Sequence, residues 1–287
     1  MRLIDFYNKA VSFGKSLDAR KKVAAYEDSA ILFGEPDTEV KKILIGIDME
    51  VPEILLADKL RQSQGLDLVL SHHPEGRALA GLYGVMQLQV DLLAKVGIPR
   101  VAAQEMLDQR KSEVERRLLP NNHMRAVDAA RLLNMPFMCI HTPADNHVAD
   151  FLDELMKKNK PKNLSNVIDI LMEIPEYKNA ADNLAGPKII LGNPKRAVGE
   201  IFLEMTGGTE GPKEALDKLY KKGIRTLISM HLSEEHFKKV KDINLNVVIA
   251  GHISSDTLGL NLLLDRIEKE EKFSITGCSG FRRISRN

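Results

Sequence analysis

Residues 41–74 read KKILIGIDMEVPEILLADKLRQSQGLDLVLSHHP, and the fold class is decided within them. ILIGID and LDLVLS are short apolar runs without polar alternation, the pattern of strands buried on both faces in a parallel sheet. Between them lies a helical stretch, with Pro52 suited to its first turn and Gly65 to its stop. The pattern is β-α-β, which predicts an α/β fold with helices on both faces of the sheet. The second strand then runs straight into His72, His73 and Pro74. Histidine serves where chemistry is needed near neutral pH or where a metal is held. Neighbouring side chains within a strand point to opposite faces. At the exit, Pro74 drives His73 out of the α region. The pleat can break there, and both rings can then face one cavity, a geometry that suits two metal ions side by side.

Outward from this stretch, the first forty residues read as helical, with turn signals at Gly34 and Pro36. Residues 77–135 read as a helical insert, broken near Gly97–Pro99 and Pro120; PFMCI (136–140) is a strand, and a helix follows from Val148. Residues 157–188 are rich in Lys, Asn and Pro and form a hinge-like segment. Beyond it, AVGEIFLEM, RTLISM and LNVVIAG read as strands, alternating with helices GPKEALDKLYKKG, SEEHFKKVKD and TLGLNLLLDRIEKEE. The order strand, helix, strand, His recurs at 43–73 and 197–231, which points to duplication. The expected organisation is an N-terminal α/β half (1–156), the hinge-like segment (157–188) and a C-terminal α/β half (189–287), or one intertwined domain.

A chain of 287 residues, 44% hydrophobic and 28% charged, has ample core. Lys+Arg 41 against Asp+Glu 40 gives a formal charge of +1, without the basic footprint of a nucleic-acid binder. No apolar run is long enough to predict a membrane span. The N-terminal stretch reads as a helix rather than a signal peptide. Cys139 and Cys278 lie far apart, as in a cytoplasmic protein with reduced thiols.

Five of the eight histidines fall at expected strand exits: His72, His73, His141, His231 and His252. In open α/β sheets the carboxyl ends of strands line the ligand crevice. His123, His147 and His236 lie in or at the start of helices and read as surface or packing residues. HTPAD and GHISSD each put an acid four residues after the histidine, pairing His141 with Asp145 and His252 with Asp256. A His/carboxylate set without thiolate suits Zn, Mn, Fe, Co or Ni. Plain alternatives compete. Thr142 could be a helix cap with Asp145 in the first turn, and Ser254 or Ser255 a cap with Asp256 facing the helix dipole. Asp48 ends the first core strand, as a partner to a ligand, a general base, or a cap for the helix at Pro52. In MTGGTEGPKEAL (205–216), Gly207, Gly208 and Lys213 could cradle a phosphate, or the loop is a tight turn.

The ordered set HHP, HTxxD and GHxxS-acid resembles the Nif-three-like family, whose members are often called GTP cyclohydrolase I type 2 homologues. The resemblance covers roughly 40–76, 136–147 and 196–270. It implies a three-layer α/β/α fold with two similar halves, a dinuclear metal site in the cleft, and a toroidal homohexamer. Carried over, His72, His73, Asp145, His252 and Asp256 match the family's metal ligands, with His141 a ligand or a partner to one. Three departures stand out. Asp256 replaces a bridging glutamate, HTPAD replaces something nearer HTNLD, and the 77–135 stretch is longer than the family's.

The resemblance thus implies two divalent metal ions and hydrolysis of a nucleotide-like or phosphorylated small molecule. His141, Asp48 or His231 would orient water or move protons. The alternative is a metal-binding or scaffold protein without turnover.

Overall fold

The computed structural model describes residues 1–20 and 22–287. The chain opens with α1 (Leu3–Leu17), β1 (Ala30–Phe33), β2 (Lys42–Gly46), α2 (Val51–Gln64) and β3 (Leu68–Ser71). The 77–135 stretch is helical: α3 (Gly76–Ala80), α4 (Leu82–Val85), α5 (Leu88–Lys95), α6 (Arg100–Leu118) and α7 (Arg125–Leu132). Next come β4 (Phe137–Cys139), α8 (Thr142–Asn159), α9 (Leu164–Met172) and α10 (Pro175–Asp182). The remainder is β5 (Lys188–Leu191), β6 (Glu200–Glu204), α11 (Glu214–Lys221), β7 (Ile224–Ser229), α12 (Glu234–Asp242), β8 (Asn246–Ile249), α13 (His252–Ile267) and β9 (Ser274–Gly277).

These elements form two compact units. The first is Met1–Val85, Ser112–His147 and Asp256–Asn287; the second is Met86–Lys111 and Val148–Ser255. In the first, the sheet order is β1-β4-β3-β2-β9, with β1 antiparallel to β4 and the other pairs parallel. The absence of polar alternation has the expected cause. Ile43, Ile45, Leu68, Leu70 and Met138 pack on one face against Leu3, Phe6 and Ala10 of α1 and Leu260, Leu263 and Leu264 of α13. Leu44, Val69 and Phe137 pack on the other against Ile54 and Ala57 of α2 and Ala126, Val127 and Ala130 of α7. Helix, sheet and helix thus form three layers in this unit. Helix α2 stops where Gly65 takes a left-handed conformation (φ 70°), which glycine adopts without strain.

The second unit's sheet has the order β5-β8-β7-β6, with only β5 antiparallel. It repeats the first sheet's β1-β4-β3-β2, including an irregularity in the antiparallel edge pair. The strand exits repeat as well. The Ser71 hydroxyl donates to the His73 carbonyl at 2.7 Å, and Ser229 does the same to His231 at 2.7 Å. The recurrence noted in the sequence is therefore a repeated architecture, the two similar α/β halves that the fold reading anticipates.

Three short strands depart from the sequence reading. β1 lies within the segment expected to be helical, and β5 and β9 were not anticipated. β9 is parallel to β2, so the end of the chain completes the first sheet. Helices α8 and α13 also begin six and five residues earlier than Val148 and Thr257, at Thr142 and His252. The residues at these strand exits are thus already helical. The 157–188 segment carries α9 and α10 within the second unit. Among the described residues no helix is long and apolar enough to cross a membrane.

The start of α8 is fixed by a close approach. A Cβ built on Gly14 of α1 would lie 2.6 Å from both Cα and Cβ of Pro143. In an open helix, Gly→Ala stabilises by about 1 kcal/mol. Here overpacking reverses the sign, and Gly14→Ala is expected to destabilise by about 1–3 kcal/mol. A lowered urea midpoint at unchanged m-value is the expected readout, and a raised midpoint contradicts the packing described.

Candidate metal centre

Strands β3 and β4 lie side by side, with Ser71 opposite Cys139. Their exits therefore deliver His72, His73 and His141 to the same end of the sheet. The His72 and His73 rings are tilted by 44° with centroids 5.4 Å apart, and His141 lies 4.9 Å from His72 and 6.0 Å from His73. Helix α8 supplies Asp145 one turn after His141, and α13 supplies Asp256.

Each imidazole is held by its Nδ1. His72 Nδ1 lies 3.1 Å from the Ile140 carbonyl, His73 Nδ1 2.7 Å from Asp48 Oδ1, and His141 Nδ1 2.7 Å from Asp28 Oδ2. All three partners are acceptors, so Nδ1 donates and Nε2 is the nitrogen left to face the carboxylates or a metal. The Nε2 atoms meet two carboxylates. Asp256 spans two rings, Oδ1 3.5 Å from His72 Nε2 and Oδ2 3.3 Å from His73 Nε2. Asp145 spans the other pair, Oδ1 3.3 Å from His72 Nε2 and Oδ2 3.8 Å from His141 Nε2.

Within the first unit, two sets of ligand atoms lie within 4.8 Å of one another and could hold a metal ion: His72, His73 and His141, and His72, Asp145 and Asp256. His72 Nε2 and Asp145 Oδ1 are buried without a hydrogen-bond partner, although 3.3 Å separates them. Buried polar atoms left in that state cost stability unless something else satisfies them. The donor chemistry and the orphaned atoms both fit a divalent cation.

The electrostatics agree. Burial opposes a charge on His72, but the carboxylates of Asp256 and Asp145 outweigh it and raise its pKa to about 10. Burial likewise opposes a charge on His73, and hydrogen bonds to Asp256 and Asp48 lift it to about 9. Burial acts to raise the Asp28 carboxyl, yet its bonds to His141 and Thr142 hold it below the usual range. Both cysteines are pushed up by burial, Cys139 to about 12 and Cys278 to about 11, so neither offers a thiolate near neutral pH.

The cap readings fail. Thr142 is inside α8, and its hydroxyl donates to Asp28 at 2.6 Å. Ser255 is inside α13, donating back to the Gly251 carbonyl at 2.6 Å. Nor is Asp48 the cap of α2, where Glu50 takes that place and Glu53 accepts from its N–H at 3.0 Å.

His252 is the first residue of α13, one turn ahead of Asp256. In the second unit, His231 and His252 pack edge to face at 4.8 Å, and His231 Nδ1 lies 3.4 Å from Glu210 Oε1. Gly207 and Gly208 take positive φ. The Gly207 carbonyl accepts from Gln89 at 2.9 Å, Gly211 N–H donates to Glu204, and Lys213 pairs with Glu235 at 3.0 Å. Of the packing histidines, His147 and His236 are buried, His236 donating to the Gly211 carbonyl.

Asp28 and Glu210 escaped the sequence reading. Asp28 carries no motif, and it reaches His141, 113 residues away, only through the β1–β4 pairing. Glu210 sits in a glycine-rich loop read for its backbone.

No protein-family model matches the chain, and no curated protein does. Solved structures are similar over nearly its whole length. A NIF3 superfamily protein from Sphaerobacter thermophilus is 25% identical, with 96% of this chain and 98% of that one covered at a TM-score of 0.78. Reduced HcgD from Methanocaldococcus jannaschii is 15% identical (96% and 97% covered, TM-score 0.59). TTHA1606 from Thermus thermophilus is 14% identical (96% and 97% covered, TM-score 0.53) and, like HcgD, shows the fold alone.

Proposed function

We propose that this chain, similar over nearly its whole length to a NIF3 superfamily protein, binds two divalent metal ions and hydrolyses a nucleotide-like or phosphorylated small molecule. The observation that carries the metal reading is the common orientation of His72, His73 and His141, whose Nδ1 atoms are all taken by acceptors. Metal-binding histidines are fixed in this way. His72, His73, Asp145 and Asp256 are the proposed ligands. His252 joins them as a proposed ligand because residues four apart share a helix face. The set suits Zn, Mn, Fe, Co or Ni.

When bound, paired ions supply Lewis acidity that activates water and neutralises charge on a phosphoryl oxygen. The chain's own part is orientation. Asp256 aligns with His72 and His73 through its two oxygens, and Asp48 holds the His73 tautomer. His231, with Glu210 at its Nδ1, is the residue proposed to move a proton. The proposed assembly is the homohexamer implied by the resemblance, in the cytoplasm.

The test is a hydrolase screen with nucleotides and sugar phosphates, using protein loaded with each metal in turn. Turnover that scales with metal content supports the reading. Turnover that survives in a His73→Ala variant stripped of metal contradicts it. Retained metal without turnover leaves a binding role in its place.

A further inference from the structure

We propose that Asp28 is a positioning residue that makes His141 a metal ligand through Nε2. The inference rests on the metal reading above and resolves the position that the motif leaves open. Asp28 is fully buried, and its Oδ2 accepts from three donors: His141 Nδ1 at 2.7 Å, the Thr142 hydroxyl at 2.6 Å and the Thr142 N–H at 3.2 Å. An oxygen so surrounded has no place for a proton of its own. The hydrogen between Asp28 and His141 therefore sits on Nδ1, which leaves Nε2 as the nitrogen for a metal.

The backbone is clamped too. His141 N–H donates to the Ser29 hydroxyl at 3.0 Å. The antiparallel pairing of Ala30 with Cys139 sets this whole arrangement. His141 is held at ring and backbone, its ligand atom lies within 4.8 Å of those of His72 and His73, and its Nε2 is 3.8 Å from Asp145 Oδ2. Carboxylate partners of this kind both orient a ligating imidazole and raise its basicity, and their loss costs about 10- to 100-fold in metal affinity.

The experiment is calorimetric titration of Co²⁺ into the metal-free full chain and into Asp28→Asn, His141→Ala and the double variant. Asp28→Asn is expected to weaken binding by about 10- to 100-fold in the wild-type background. In the His141→Ala background the same change is expected to have little effect, because the two residues act as one. An unchanged affinity in Asp28→Asn overturns the inference. So does an equal loss in both backgrounds, which is what a general structural role gives. Failure of the wild type itself to bind Co²⁺ overturns the metal reading, and this inference with it. Should Asp28→Asn not fold, ¹⁵N spectra of the metal-free wild type decide: a proton on His141 Nδ1 is expected, and one on Nε2 alone overturns the inference.

Discussion

Asp256→Ala is expected to bind divalent metal roughly 100- to 1000-fold more weakly than the parent chain, since about 10–16 kcal/mol shared among four ligands is about 3 kcal/mol or more each. Asp256 carries the larger share because both its oxygens are engaged, at 3.5 Å from His72 Nε2 and 3.3 Å from His73 Nε2. Asp256, one methylene shorter than the glutamate that the resemblance implies, reaches both rings from α13. Titration with Zn²⁺ or Co²⁺ measures the loss. Parental affinity in Asp256→Ala would remove Asp256 from the site.

Metal binding is also expected to release protons and to strengthen as pH rises. In the metal-free protein His72 and His73 have pKa values of about 10 and about 9, above the ordinary 6.5, so both rings are protonated near neutral pH. Their Nδ1 atoms face acceptors, so the proton that must leave is on Nε2. Each proton displaced makes affinity rise tenfold per pH unit, about a hundredfold for two, until the slope fades as pH passes about 9 and then about 10. The sign for folding is the reverse. Raised histidine values stabilise the metal-free fold fully below about pH 6.5, and that contribution is lost as pH rises through about 9 and 10. The gap in Tm between loaded and metal-free protein should therefore widen from pH 6 to 9. Calorimetry in two buffers of different ionisation enthalpy counts the protons. No proton release, with a flat pH profile, contradicts the site.

The convergence of the proposed ligands was legible in the sequence because strand exits can be read locally. An apolar run that stops at His72-His73, or PFMCI that stops at His141, places the side chain at the sheet's end without any knowledge of the partner strand. The buttress was not legible. Asp28 acts only once β1 pairs with β4, and β1 was missed because its four residues follow a long helical pattern. β9 is four residues and mostly exposed, so it has no apolar run to read and exists through its bonds to β2. β5, half exposed on an edge, is similar. The cap alternatives failed for a related reason. Sequence placed Asp145 in a first turn correctly, whereas α13 begins at His252 and leaves Asp256 beyond its first turn; only the fold shows that both acids turn toward histidines from neighbouring strands.

The central claim is that His72, His73, Asp145 and Asp256 hold metal. Elemental analysis of the chain, purified without affinity tag or chelator, tests it most directly. The account predicts divalent metal approaching two equivalents per chain, lost in the His72→Ala/His73→Ala variant. No metal in the parent chain, even after loading with Zn, Mn, Fe, Co or Ni, would contradict it.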